Sequence, residues 1–250
     1  MGMHPNQRST DEALNGFLAY VRSHQPLKPE IADFFRGRML GKNLQRAVRV
    51  CVGRATDAQR ITWLCSSHET AHKVNIEYLR VLGYGSLEDI DEAPDSFRCD
   101  PGMGGYRMRA RAGMQIRLSR DLDKERGFVN GALCEVVEQL KGNAVFVARL
   151  LGTGNLVLVH PMEEDGQVFL PCCYGYATTI RRAQGASLVQ GCIYFDQKKY
   201  PAGRGYGYVA VSRFKSRAGC RLYGRLRVTD FLPVGEPKES EVLERGVCHL

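Results

Sequence analysis

Hydrophobic spacing predicts two short helices at the beginning of the chain. Apolar residues of the first recur at helical intervals, at Leu14, Phe17, Leu18 and Val21. The second follows Pro29 and Glu30, a pair typical of a helix start, and continues with Ile31, Phe34 and Phe35.

A strand followed by a helix is predicted next. The run Ile61–Cys65 is apolar and partly β-branched, which is typical of a buried strand. Beyond it, one helical face carries Ala71, Val74, Tyr78 and Leu82. A strand that leads into a helix is the repeating unit of a parallel α/β sheet.

The residue composition and the spacing of apolar residues change twice in the middle of the chain. Residues 83–113 are rich in Gly, Pro, Asp and Arg, which predicts a long surface excursion. Short, closely spaced apolar runs then predict a small antiparallel barrel; they are Met114–Leu118, Cys134–Val137, Ala144–Leu150, Leu156–Val159 and Val168–Leu170.

The α/β pattern resumes after these short strands, so the barrel is interpreted as an insertion. The predicted elements are a helix-like segment from Thr179, a strand at Cys192–Phe195, a helix-like Tyr208–Phe214 and a strand near Leu222. Residues 233–250 are Glu-rich and lack aromatics, which predicts a loosely ordered tail.

Composition narrows the range of partners. The 250 residues carry a formal net charge of +8, which favours a polyanion because clustered cations release counterions from phosphate backbones. The nine cysteines include no C-x-x-C pair, so no zinc site is expected. No apolar run approaches the roughly 18 residues needed to span a bilayer, so we expect an intracellular protein with no membrane partner.

Three segments combine residue types that suit phosphate chemistry. One is the charged stretch Gly113–Gly131, whose end reads Gly-Phe-Val-Asn130-Gly131. Another reads Ala177-Thr-Thr-Ile-Arg-Arg-Ala-Gln-Gly-Ala-Ser-Leu188. The third is centred on Tyr208-Val-Ala-Val-Ser-Arg213.

The chemistry of these residues leaves two interpretations open. The hydroxyl of Thr179 and the cation of Arg182 suit a nucleic-acid phosphate, although Thr179 could simply cap a helix. The Arg213 guanidinium could neutralise charge on a transferred phosphoryl group, or it could be a solvated arginine on a helix.

In order and spacing, the segments resemble the C-terminal motor half of the PIF-type and RecD-like helicases of superfamily 1, over roughly residues 14–231. The second is similar to the family motif Thr-Ile-His-Lys-Ser-Gln-Gly-x-Thr-Leu, with matches at Thr179, Gln184 and Gly185. Arg181 and Arg182 replace its His and Lys. The third looks like the family's Tyr-Val-Ala-Leu-Ser-Arg.

A weaker match lies earlier in the chain. The run Thr62-Trp-Leu-Cys-Ser-Ser-His68, followed by Asn75, looks like the family's strand that ends in Thr-x-Asn and leads to a helical Asn. His68 stands where the family has Asn.

The resemblance implies a RecA-like parallel sheet with helices, carrying an inserted small antiparallel β-barrel that is Src-homology-like. The implied domains are a helical remnant at 1–55, a second RecA-like domain at 56–120 and 171–232, the barrel at 121–170, and the tail at 233–250. The missing or separate first RecA-like domain would be a partner of this chain.

The implied function is ATP-dependent translocation on single-stranded DNA with 5′ to 3′ polarity, by a monomer. Arg213 would be the catalytic arginine finger, and Gln184, Gly185 and Arg213 would contact ATP. ATP with magnesium would bind only in combination with the first motor domain. Expected DNA contacts are Ser66, His68, Asn75, Asn130, Thr179 and Arg182, with a backbone track along Arg117, Arg120, Lys124 and Arg126.

No phosphate-binding loop of the form Gly-x-x-x-x-Gly-Lys-[Ser/Thr] is present in this sequence. Gly37-Arg-Met-Leu-Gly-Lys-Asn43 is one residue short, ends in Asn and precedes no clear apolar helix. The pair Asp91-Glu92 lacks the buried strand that a metal-binding pair requires. The alternatives are a catalytically dead DNA-binding module derived from a helicase, and a basic barrel protein that binds RNA.

Overall fold

The computed structural model describes residues 9–24, 26–55, 60–93, 95–140, 145–196 and 205–233. Within these ranges, the helices are α1 (Glu12–Ser23), α2 (Lys28–Phe34), α3 (Leu44–Arg54), α4 (His68–Val81), α5 (Leu87–Asp91) and α6 (Tyr206–Val211). Short 3₁₀ helices span Pro101–Met103 and Val228–Phe231.

The strands in the same ranges follow in chain order. They are β1 (Ile61–Cys65), β2 (Phe97–Arg98), β3 (Arg107–Met108), β4 (Gln115–Leu118), β5 (Leu133–Gln139), β6 (Phe146–Leu150), β7 (Leu156–Val159), β8 (Met162–Glu164), β9 (Gln167–Phe169), β10 (Cys172–Tyr174), β11 (Ala177–Thr179), β12 (Gln190–Tyr194) and β13 (Cys220–Tyr223).

The chain divides into two compact units, one formed by residues 1–42 with 184–250 and the other by residues 43–183. We call them the split unit and the central unit. This division differs from the predicted domain boundaries, because residues 43–55 fold with the central unit.

The split unit contains α1, α2, α6 and the parallel pair β12 and β13. The predicted helices at its start are confirmed: Asp11 caps α1 by accepting from the Leu14 N–H at 2.9 Å, and the apolar face is buried. Phe17 stacks on Phe34 with ring centroids 3.9 Å apart and meets Phe231 edge-on at 6.0 Å. These aromatic contacts form the core of the unit.

The central unit contains a second parallel pair, β1 with β11, against which α4 packs. The strand predicted at Ile61–Cys65 is confirmed, and every residue in it is buried. Trp63 donates through its ring nitrogen to the Tyr78 hydroxyl of α4 at 3.0 Å, which fixes the helix on the strand. Tyr78 in turn stacks on Tyr176 at 4.8 Å.

An antiparallel sheet with the order β10-β4-β5-β6-β7 accounts for the closely spaced short strands. It begins at Gln115 and ends at Tyr174, so it extends beyond the predicted 121–170 insertion on both sides. The hairpin of β8 and β9 lies between the last strands of this sheet in the chain.

Two sequence predictions are wrong in detail, and a third falls outside the described residues. The 83–113 stretch is not a surface excursion: it contains α5 and the β2–β3 hairpin and buries Ile90, Met103 and Met108. The segment after Thr179 forms turns rather than a helix, because Gly185 has φ +92°, which ends right-handed helical geometry. The tail lies outside the described residues, apart from Pro233.

Helix α3 was missed by the sequence analysis. It starts directly after Asn43, whose side chain caps it by accepting from the Arg46 N–H at 2.9 Å. A helix therefore does follow Gly41-Lys42, but only Ala47, Val48 and Cys51 of it are buried. The wrong glycine spacing and the Asn remain, so the rejection stands on those two grounds.

Candidate nucleic-acid and nucleotide interfaces

Two parallel strands of the central unit end side by side. Cys65 of β1 is in register with Thr179 of β11, and the Ile180 N–H donates to the Cys65 carbonyl at 2.9 Å. The carboxyl ends of parallel strands form the edge where open α/β sheets bind ligands. Ser66 and His68 follow β1 at this edge, and Thr179 ends β11 there.

The amino end of α4 lies at the same edge. Ser67 caps it by accepting from the Thr70 N–H at 3.1 Å, and His68 is the first helical residue. Burial and then the charge of Arg182 lower the pKa of His68, so its ring is neutral near pH 7. The partial positive charge of a 14-residue helix and the Arg182 cation together favour an anion at this point.

Thr179 and Arg182 form one local structure. Thr179 is only 6% exposed, and its hydroxyl accepts from the Arg182 N–H at 3.3 Å, which is a capping role. The Arg182 side chain is exposed, and its Nη2 donates to the Gly102 carbonyl at 2.6 Å. The guanidinium therefore lies at the surface of the edge, and a direct phosphate contact by Thr179 stays a prediction.

Asn75 has a different role from the predicted DNA contact. Its side chain is 5% exposed; its oxygen accepts from the Ala177 N–H at 2.8 Å and its Nδ2 donates to the Ala177 carbonyl at 3.4 Å. It thus binds both backbone groups of one β11 residue. Asn75 positions β11 and does not present its amide to an external phosphate.

Sequence reasoning missed the segment that faces this edge. Residues 100–106 form a 3₁₀ turn followed by Tyr106, whose ring stacks on His72 of α4 with centroids 3.9 Å apart and planes 6° from parallel. Burial lowers the pKa of His72 to about 4, so the stacked ring is neutral. The pair Asp100-Pro101 before a turn was the available signal.

The residues of the predicted basic track do not share one exposed surface. Arg117 is 8% exposed and donates through Nη1 to the Gly131 carbonyl at 2.8 Å, so it supports the sheet and does not line a track. Lys124 and Arg126 are exposed on a turn that pairs with its own aspartates. Asn130 is exposed, and the described contacts place it on this turn and not at the edge of β1 and β11.

In the split unit, the backbone brings two of the sequence motifs together. The Leu188 N–H donates to the Arg213 carbonyl at 2.7 Å, and the Lys215 N–H donates to the Leu188 carbonyl at 2.9 Å. Gln184 and Gly185 are exposed just before this bridge, and a Cβ at Gly185 would have no atom within 4 Å. Open space next to a glycine allows a ligand to approach the backbone.

Arg213 lies in the turn directly after α6, not within the helix. Its side chain is half-buried; Nη2 donates to the Ser212 hydroxyl at 2.8 Å and Nε donates to the Val209 carbonyl at 3.1 Å. These bonds orient the guanidinium, which is partly exposed.

The described residues contain neither a candidate metal site nor a candidate membrane-spanning helix. No group of three or more His, Cys, Asp or Glu side chains there is placed to hold a metal ion. None of the helices in those ranges has the length and apolar character to cross a bilayer.

Two curated proteins are similar to this chain in sequence. The ATP-dependent DNA helicase PIF1 of Mus musculus is 30% identical over 210 residues, which cover 76% of this chain and 31% of that protein. The Rattus norvegicus protein of the same name is 29% identical over 211 residues. The chain therefore spans about a third of the curated relatives it matches, and no family model matches it.

Solved structures agree on the fold. The Pif1 helicase from Bacteroides in complex with ADP-AlF3 and ssDNA has a TM-score of 0.62 and 16% identity, covering 95% of this chain and 54% of that one. The Pif1 helicase from Candida albicans has a TM-score of 0.61 and 17% identity, covering 95% and 58%.

Parallel strands with flanking helices, and polar residues at the carboxyl ends of two of these strands, define a RecA-like α/β fold. Sequence homology then specifies the family: the chain carries a PIF-type helicase domain of superfamily 1.

Proposed function

We propose that this chain is the C-terminal half of an ATP-dependent DNA helicase that translocates 5′ to 3′ on single-stranded DNA. It would act as the second motor domain, supplying the arginine finger Arg213 and part of the DNA track. A first RecA-like domain would supply the phosphate-binding loop and the magnesium ligands. The assembly would work as a monomer, and the antiparallel sheet of the central unit would be the Src-homology-like barrel.

One observation carries this proposal: the Gln184–Leu188 segment and Arg213 are joined by backbone hydrogen bonds, although 25 residues separate Leu188 from Arg213. Two motifs that a nucleotide site would need are therefore adjacent in the folded split unit. In this arrangement, the Arg213 guanidinium would neutralise charge on the terminal phosphate, and the Gln184 amide would bind the nucleotide nearby.

The residues present fit the phosphate end of a nucleotide. Arg213 offers a planar donor group, and the approach to the Gly185 backbone is open. They do not form a metal site, so we assign magnesium to the first motor domain. That domain would also supply the amide cradle for the phosphates.

The DNA part of the proposal depends on the edge where β1 and β11 end. His68 and Arg182 lie there at the amino end of α4. The electrostatic potential at this point is positive, which favours a phosphate. Solved relatives include a Bacteroides Pif1 bound to ssDNA, which supports the same ligand for this chain.

Joining the chain to a competent first motor domain tests the catalytic role. We expect DNA-stimulated ATP hydrolysis, with Arg213→Ala lowering kcat by about 10³-fold or more while DNA binding is kept. Lys215→Ala, two residues further on and exposed, is the matched control and should leave turnover unchanged. Alone, the chain should hydrolyse ATP no faster than buffer, and turnover there that Arg213→Ala abolishes would contradict the proposal.

The same experiment separates the alternative of a catalytically dead DNA-binding module. That alternative predicts salt-sensitive DNA binding but no ATP response in the joined protein. The similarity to solved helicases over 95% of the chain argues against an independent barrel protein that binds RNA.

A further inference from the structure

Asp100 is a buried carboxylate with a complete set of partners in the central unit. It is 2% exposed, and its oxygens accept from the Gly102 N–H at 2.7 Å, the Ser119 hydroxyl at 2.7 Å and the Arg120 Nη2 at 3.3 Å. One of its oxygens also lies 2.8 Å from the Arg120 Nε in an ion pair. A buried carboxylate is costly unless it is paired and hydrogen-bonded in this way.

The partners of Asp100 hold a short turn in place. The Gly102 bond fixes the 3₁₀ turn Pro101–Met103 from within, and the Met103 N–H donates to the Asp100 carbonyl at 2.8 Å. Arg120 anchors the carboxylate from outside; it also pairs with Glu164 at 2.7 Å and lies over the Phe169 ring at 5.3 Å. The turn is therefore tied to the end of β4 through Ser119 as well as Arg120.

This turn contacts two of the residues at the edge of β1 and β11. The Gly102 carbonyl accepts from Arg182 Nη2 at 2.6 Å, and Met103 lines the same cavity as His68. A side chain as long as arginine loses much rotamer freedom when one nitrogen is held, which preorganises its other donors.

We propose that Asp100 is a positioning residue for DNA binding, which acts by holding the 101–103 turn so that Gly102 orients the Arg182 guanidinium toward the phosphate backbone. This inference rests on the proposed DNA contact at the β1 and β11 edge. Asp100 itself touches no DNA in this arrangement.

Binding of the full chain to a fluorescent oligothymidylate, measured over a range of salt concentrations, tests the inference. Arg182→Ala should weaken binding by about 10-fold and lower the slope of log K against log salt by about 0.7, the value for one single-strand phosphate contact. Asp100→Asn places an amide donor against Arg120 and should weaken binding by about 5-fold, with a similar loss of slope. A purely structural role for Asp100 would leave the slope unchanged.

The double variant with both Asp100→Asn and Arg182→Ala shows whether Asp100 acts through Arg182 or affects DNA binding independently of it. If Asp100 acts through Arg182, the double variant should bind within about twofold of Arg182→Ala alone. Losses that multiply would overturn the inference while leaving the DNA contact of Arg182 intact. If the unmodified chain does not bind the oligonucleotide, or Arg182→Ala has no effect, the proposed DNA contact fails and this inference fails with it.

A second variant covers the case in which Asp100→Asn does not fold. A Cβ at Gly102 would lie 3.1 Å from both Arg182 Nη2 and Asp100 Oδ1, so Gly102→Ala should shift the guanidinium and the carboxylate and weaken binding in the same salt-dependent manner. Gly152→Ala is the matched control, because no atom lies within 4 Å of its Cβ position. Equal binding by the two glycine variants would contradict the inference.

Discussion

Replacing Asn75 with Ala should cost the protein about 1.5 to 4 kcal/mol of unfolding free energy. Asn75 is 5% exposed, Ala177 is 1% exposed, and the side chain satisfies both backbone groups of Ala177. An unsatisfied buried donor costs about 1 to 3 kcal/mol, and the longer bond to the carbonyl adds about 0.5 to 1 kcal/mol. Water cannot replace the amide without opening the contact between α4 and β11.

Urea unfolding followed by circular dichroism measures this loss, and hydrogen exchange at the Ala177 amide locates it. Lys73→Ala is the matched control, because it removes an exposed side chain from the same helix and should stay within about 0.5 kcal/mol. A similarly small change for Asn75→Ala, or unchanged protection of the Ala177 amide, would refute the positioning role of Asn75.

Two further predictions concern a histidine and a pair of glycines. Because the pKa of His72 is about 4, the unfolded chain binds a proton that the native ring does not as pH falls from about 6.5 to 4, so stability drops in that window. His72→Phe keeps the aromatic stack and should remove about 1 to 3 kcal/mol of this drop in pH-dependent urea titrations; an unchanged drop would contradict the assignment to His72. Gly207→Ala in α6 should lower the melting temperature, because its Cβ would lie 2.5 Å from the Asp230 carbonyl oxygen. Gly16→Ala in α1 is the control: its Cβ meets no atom within 4 Å, and the change should raise stability by about 0.5 to 1 kcal/mol. Equal melting temperatures for the two variants would contradict this steric reasoning.

Hydrophobic periodicity predicts the elements whose apolar residues repeat regularly. It places β1 at Ile61–Cys65 and β7 at Leu156–Val159, the ranges that the structure has, because both runs match the spacing of a strand. It fails for α3, where Arg46 and Arg49 interrupt a buried face made only of Ala47, Val48 and Cys51. An apolar face this narrow, with arginines on both sides of it in the sequence, does not show the hydrophobic periodicity that predicts a helix.

Residue type is a poorer guide to side-chain direction. Arg117 has the charge expected of a DNA track, yet all four residues of β4 are buried, so no alternation along that strand could indicate its direction. Asn75 has the polarity expected of a phosphate contact, yet its partner is a backbone group 102 residues further along the chain. Such distant pairings have no local pattern.

The amino-acid sequence by itself determined the order of the motifs, the chemistry at Arg182 and Arg213, and the family resemblance, because these depend on residue type and spacing along the chain. Only the tertiary structure decided which groups are satisfied internally and which face outward. It turned Asn75 and Arg117 inward and brought the Asp100 turn to Arg182, because the partners of buried polar groups are chosen by packing between elements distant in sequence.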